Sequence, residues 1–220
     1  ARYLFTTRGW KNKGVGKTVV CTTMIDKWAA DAEIPVFEVP VGFKYFSQLL
    51  FDGAIGIGGE ESAGASFLKK DGTVWTTDKD GMIMALLSME IMAVMGKSAL
   101  KMTDEIVEEF GNPSFGRIDA PCKKEQKQIL KQMSAELITA TTVDGDPITN
   151  IRTTSLYNDM PIDGVRVETD KGWFVARPSG TEDLYKIYGE SYKGDLGLVA
   201  LLTAGEEIVN AALNGTIETE

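Results

Sequence analysis

The chain contains no histidine. That absence removes Ser-His-Asp and Cys-His catalysis from these residues, along with the commonest zinc ligand. Only two cysteines occur, Cys21 and Cys122, far apart and without a secretory signal. A reduced, cytoplasmic setting with two structural thiols is expected. No uninterrupted apolar run approaches the roughly 20 residues that span a bilayer, so no membrane partner is expected. The most apolar stretch, Met82 to Met95, is broken by Ser88 and Glu90 and predicts a buried helix. The opening Ala-Arg-Tyr-Leu-Phe lacks the basic start and apolar centre of a signal peptide. It also lacks an initiator Met and reads as the tail of a helix, so a truncated or processed chain is expected. Positive charge is in deficit: 23 Lys and Arg against 32 Asp and Glu leave −9. That balance argues against a nucleic-acid partner, whose footprint is basic. It leaves an anionic small molecule open, because local donors decide such binding.

What is present suits one large domain or two small ones, each able to bury a core: 220 residues, 43% hydrophobic and 25% charged. The first half alternates strand and helix signals. Thr18–Thr23 and Pro35–Pro40 read as short strands, Met24–Ala32 and Tyr45–Phe51 as helices, and Gly53–Gly58 as a buried, glycine-rich strand. Asp80 to Met95 predicts a long helix ending at Gly96, and Thr103 opens another to Gly111. Such alternation predicts an α/β layered unit over residues 1–112. The breaker cluster Gly111-Asn-Pro-Ser114 marks a boundary. Beyond it a basic helix, Lys123–Met133, and a turn, Asp144–Pro147, precede a hairpin of Gly164–Glu168 and Trp173–Ala176. A strand, Leu184–Ser191, and a helix, Leu198–Leu213, complete an α+β unit over 113–220.

Two polar loops stand out. Arg177-Pro-Ser-Gly-Thr-Glu182 lies between two predicted strands. Arg177 offers a fork of charged donors, Ser179 and Thr181 offer hydroxyls, and Gly180 lets backbone amides approach an oxyanion. Such a nest suits a phosphate, although Ser-Gly-Thr also occurs in ordinary polar turns. Gly58-Gly-Glu-Glu-Ser-Ala-Gly64 follows a predicted buried strand, where α/β sheets place ligands. Glu60 and Ser62, two residues apart, can grip adjacent sugar hydroxyls, or the segment is a solvated acidic turn. Three lookalikes fail. Gly14-Val-Gly-Lys-Thr18 has Lys11 where a phosphate-binding P-loop needs glycine, and it reads as a turn into a strand. Gly56-Ile-Gly58 has Glu61 at the third glycine position of a dinucleotide loop. Asp144-Gly-Asp146 lacks a third carboxylate for a metal.

Taken in order, these loops resemble the α-D-phosphohexomutase superfamily, in its bacterial phosphoglucomutase form. The likeness rests on Val15–Val20, Pro40–Phe46, Gly58–Ser66, Thr76–Gly81 and Trp173–Asp183, and extends over nearly the whole chain. The resemblance implies four domains around a cleft, of which this chain holds most of the third and the fourth. It implies that Glu60 and Ser62 hold the sugar, with Gly42, Phe43 and Lys44 lining the neighbouring loop. It further implies that Arg177, Ser179, Gly180, Thr181 and Lys186 hold the phosphate that is not being transferred. The implied reaction interconverts glucose 1-phosphate and glucose 6-phosphate through a phosphoserine and glucose 1,6-bisphosphate, with Mg2+. Neither a serine nucleophile loop nor a three-aspartate metal loop is found here. Catalytic and metal-binding residues are therefore expected in N-terminal domains upstream of Ala1, and this polypeptide alone is expected to be inactive. Rival readings are a mannose- or glucosamine-phosphate mutase and a non-catalytic sugar-phosphate-binding module.

Overall fold

A computed structural model describes residues 1–10 and 12–214; Lys11, the position that disqualified the P-loop, and the last six residues of the predicted second unit lie outside the described residues. The chain divides into two compact units, Ala1–Gly111 with Leu156–Asn158, and Asn112–Ser155 with the residues from Asp159 on.

In the first unit, β1 (Gly14–Thr18) lies between β2 (Val36–Val39) and β3 (Ile55–Gly59), parallel to both, and β4 (Ala65–Phe67) runs antiparallel along β3. The crossover from β1 to β2 is α2 (Met24–Asp31). β1 therefore begins earlier than Thr18, the predicted start, and the expected turn at Gly14–Thr18 is its central strand. Propensity misleads here because packing decides. Gly16 and Gly58 are register neighbours, and a Cβ on either would strike the Phe46 ring, at 2.9 and 2.8 Å. The two glycines thus seat a fully buried phenylalanine on the sheet, a burial that contributes about 1.5–3 kcal/mol. Phe46 closes a short 3-10 turn, Phe43–Phe46, that leads into α3 (Ser47–Phe51).

Helix α4 (Gly81–Met95) starts and stops where the sequence predicts. The Asp80 carboxylate accepts the Met82 and Ile83 amides, and Gly96 ends it with φ 62°. Its predicted burial is wrong. Only the stripe Met84, Leu87 and Ile91 joins the core, while Met82, Leu86 and Met89 stand exposed. A helix apolar on every side does not reveal which side has a neighbour. Helix α5 (Ala99–Phe110) begins before Thr103, because the Ser98 hydroxyl caps it by accepting the Lys101 amide. A first helix, α1 (Arg2–Arg8), buries Leu4 in the same core.

The second unit is a six-stranded antiparallel sheet with two helices. β5 (Ser114–Pro121), β6 (Thr142–Val143), β7 (Asp146–Thr154), β8 (Pro161–Thr169), β9 (Gly172–Pro178) and β10 (Leu184–Ser191) stand in the order β5-β10-β9-β8-β7-β6. The hairpin β8–β9 and the strand β10 are those read from the sequence. β5, β6 and β7 are additional. β5 alternates partly buried with exposed residues, but of its inward positions only Ile118 is strongly apolar, while Ser114, Gly116 and Ala120 are small. Helix α6 (Lys124–Lys131) and helix α7 (Gly194–Leu213) complete the unit. By length and mean hydropathy, 20 residues at 1.5, α7 could cross a membrane. Here Gly197, Leu201, Gly205, Val209 and Ala212 form a buried stripe. Gly205 allows close approach, since its Cβ would meet Ile187 of β10 at 2.7 Å.

Candidate functional site

Parallel pairing places the loops after β1, β2 and β3 on one edge of the first sheet. After β3, Glu60 to Gly64 close a tight turn: the Glu60 amide donates to the Gly64 carbonyl at 2.8 Å, and the Ala63 amide to the Glu60 carbonyl at 3.1 Å. Ala63 adopts a left-handed φ of 67° to complete it. The Glu60 side chain is only 8% exposed, and its Oε2 meets Lys79 Nζ at 3.2 Å. Gly64 makes room for that pair, as its Cβ would lie 2.9 Å from Glu60 Oε2 and 2.8 Å from Lys79 Cδ. Ser62, on the same turn, is exposed.

After β2, Gly42 turns with φ 135°, a conformation only glycine adopts readily. Lys44 is exposed with its ammonium 5.0 Å from the Tyr45 ring centroid. Phe43 does not line this edge: it is buried and packs edge-on against Phe46, ring centroids 5.4 Å apart. It anchors the loop while Gly42 and Lys44 present the surface. Cys21, in the loop after β1, bonds Thr18 Oγ1 at 3.2 Å and reaches the Gly59 carbonyl at 3.6 Å. Burial raises its thiol pKa, and that of Cys122, so both stay protonated near neutrality.

In the second unit, Arg177 ends β9 directly opposite Lys186 of β10, which in turn faces Asp119 of β5. Arg177 is 8% exposed, and its Nε is inaccessible and unpartnered. A buried guanidinium nitrogen left without an acceptor is costly unless something else supplies one. Beyond it, Ser179 organises the loop. Its amide donates to the Leu184 carbonyl at 2.8 Å, and its Oγ accepts the Thr181 and Glu182 amides at 3.4 and 3.2 Å. Gly180 and Thr181 are exposed, and nothing lies within 4 Å of a Cβ built on Gly180. Alanine would therefore fit there.

Lys186 is engaged rather than free, with Nζ 2.8 Å from Glu182 Oε2 and 3.8 Å from Asp119 Oδ2. The Glu182 bond raises its pKa against the opposing effect of burial. Sequence reasoning missed three members of these clusters. Lys79 pairs with Glu60, Glu182 holds Lys186, and Lys127 of α6 donates to the Glu182 carbonyl and to Asp183. Lys127 gave no signal, whereas Glu182 lies in the Arg177–Glu182 loop and Lys79 in Thr76–Gly81, with no role assigned to either. Among the described residues, no three Cys, Asp or Glu side chains cluster to hold a metal.

A parallel-stranded α/β unit with a polar turn at its strand ends, followed by an antiparallel unit with a polar loop after β9, defines a mixed α/β protein. Two family models match it: "Phosphoglucomutase/phosphomannomutase, alpha/beta/alpha domain III" over residues 1–110, and "Phosphoglucomutase/phosphomannomutase, C-terminal domain" over 118–197. The chain belongs to the phosphoglucomutase/phosphomannomutase family. It is 47% identical to a phosphoglucomutase of Komagataeibacter xylinus over 95% of its own length and 38% of that protein's. It is 25% identical to a phosphoglucosamine mutase of Methanocaldococcus jannaschii, over 97% of its length and 42% of the relative's. A phosphoglucomutase/phosphomannomutase family protein from Burkholderia thailandensis shares the fold at TM-score 0.67 and 19% identity, over 97% of this chain and 40% of that one. The chain thus spans about two-fifths of the relatives it matches.

Proposed function

We propose that this chain is the sugar-phosphate-binding part of a phosphoglucomutase that interconverts glucose 1-phosphate and glucose 6-phosphate through a phosphoserine and glucose 1,6-bisphosphate. The observation that carries the reading is Arg177, a nearly buried guanidinium beside the exposed turn of Gly180 and Thr181. A phosphate dianion at this turn would balance its positive charge. It would take charged hydrogen bonds from Arg177 and further bonds from the Ser179 and Thr181 hydroxyls and the Gly180 amide. The Ser179 oxygen already accepts two amides, which leaves its proton free to be donated outward.

Glu60 gives the second grip. Lys79 holds its carboxylate in place, and its remaining lone pairs can accept from sugar hydroxyls, with exposed Ser62 beside it. Glucose rather than glucosamine is the sugar favoured by the 47% against 25% identities. These residues are assigned to binding and orientation, and phosphoryl transfer to the phosphoserine of the whole protein. Among the described residues no three Cys, Asp or Glu side chains gather to hold Mg2+, and Glu60, Glu182 and Asp183 are each paired with a lysine. The isolated chain accordingly binds without turning over.

Titrating glucose 6-phosphate and inorganic phosphate into wild type and Arg177→Ala tests the reading. One lost charged hydrogen bond is about 1.5–3 kcal/mol, or about 10- to 150-fold in affinity for both ligands. Equal affinities in the two proteins would refute it.

A further inference from the structure

The loop from Ser179 to Asp183 has little apolar anchorage: Gly180, Thr181, Glu182 and Asp183 are all exposed. Such a loop pays ordering entropy each time it binds, unless something holds it beforehand. Three ties do. The Ser179 amide closes its base on Leu184, the Cys122 amide donates to the Asp183 carbonyl at 3.0 Å, and Lys127 Nζ donates to the Glu182 carbonyl. The Lys127 side chain is 15% exposed, whereas that of its ion-pair partner Asp183, at 3.0 Å, is 93% exposed. An ion pair so open to water contributes little. The carbonyl bond is therefore the effective one.

Its placement matters. The Glu182 carbonyl also accepts the Leu184 amide at 2.9 Å, and the Glu182 amide donates to Ser179 Oγ at 3.2 Å. Lys127 thus grips the same peptide segment that shapes the turn around Ser179. The ammonium also shares a cleft of about 810 Å3 with Gly180 and Thr181. Arg177 does not line that cleft.

We propose that Lys127 of α6 is a positioning residue for the phosphate loop, pinning the Glu182 carbonyl so that the Gly180 amide and Thr181 hydroxyl are preset toward the ligand. The inference rests on the phosphate reading of the loop. It is tested on the 220-residue chain by titrating inorganic phosphate into wild type, Arg177→Ala, Lys127→Met and Lys127→Arg. Hydrogen exchange is followed at the Thr181 and Glu182 amides without ligand. Methionine keeps the buried stem and removes only the donor. Lys127→Met is expected to weaken phosphate binding by about tenfold and to accelerate exchange at both amides, with the β9 and β10 amides unchanged. Lys127→Arg is expected to restore both readouts. Unchanged exchange in Lys127→Met, or unchanged affinity while Arg177→Ala binds weakly, overturns this proposal alone. Wild type and Arg177→Ala binding alike would overturn the phosphate reading and this proposal with it.

Discussion

Replacing Arg177 with methionine should move stability and binding in opposite directions. Methionine retains an unbranched stem of similar reach and deletes the nitrogens. In the empty protein the deleted Nε is inaccessible and unpartnered, and a second cation, Lys186, stands directly opposite. An unsatisfied buried polar group costs about 1–3 kcal/mol, so its removal should stabilise the ligand-free protein by about 1 kcal/mol after loss of some packing. For a chain of this size that is an upward shift in Tm of about 2–4 °C. Phosphate reverses the order. At a ligand concentration of about 100 times the wild-type Kd, wild type gains about 2.7 kcal/mol, and a variant weakened about 10- to 150-fold gains only about 0.3–1.4 kcal/mol. Thermal melts of both proteins, with and without glucose 6-phosphate, should therefore cross: the variant melts higher alone and lower with ligand. If Arg177→Met melts below wild type by more than about 2 °C in the absence of ligand, the residue supports the fold and the argument from its unpartnered nitrogen is wrong.

Two further substitutions probe what surrounds that residue. A Cβ at Gly164 of β8 would lie 2.2 Å from the Ala176 carbonyl oxygen and 3.0 Å from Arg177 Cα. Because both obstacles are backbone, Gly164→Ala should cost about 1–3 kcal/mol in urea unfolding and weaken phosphate binding as β9 shifts. Unchanged stability would mean that the two strands are not so close. Glu168 pairs with Arg166 at 2.5 Å and Arg152 at 3.2 Å. Burial raises its pKa, but the two arginines more than offset this and leave it below its ordinary 4.5. A depressed carboxyl stabilises the fold above its unfolded value and loses that contribution as pH falls through the folded one. Wild type should therefore lose more stability than Glu168→Gln on acidification below about pH 4.5, measured by urea unfolding across pH 3–7. Parallel pH profiles would refute the coupling.

Where the outcome depended on short-range chemistry, the sequence was readable. Asp80 and Gly96 bound α4 because a carboxylate cap and a left-handed glycine act within one turn of helix. The hairpin β8–β9 and strand β10 were visible because their residues are apolar and β-branched at the right spacing. Three things were hidden. β1 is rich in glycine because residues much later in the chain crowd it: Phe37 and the Pro35 carbonyl at Gly14, Ile55 and Phe46 at Gly16. β5 is a strand because β10 pairs along its whole length, from Leu184 with Pro121 to Ser191 with Ser114. The exposure of α4 reflects which neighbours exist, which a run of apolar letters does not record.

The candidate site shows the same division at finer scale. Arg177, Ser179, Gly180 and Thr181 are contiguous, so their shared chemistry could be read as a string. Lys127 lies 55 positions from the Glu182 carbonyl it meets, and Lys79 lies 19 from Glu60. Both are lysines in polar stretches, indistinguishable in sequence from solvated ones. The difference between donors that touch a ligand and groups that hold those donors is thus a difference in legibility. Contacting residues cluster in sequence because one turn must converge on one oxyanion, whereas a supporting group need only reach the turn from whichever element packs beside it. Lys186 tests that division from the other side. The resemblance implied it as a phosphate donor, yet its ammonium is held by Glu182 and Asp119. A phosphate arriving at Arg177 would compete with two carboxylates for Lys186. Lys186 therefore reaches the ligand only if Glu182 gives way, and the Lys127 bond restrains the backbone of that same residue while leaving its side chain free to move.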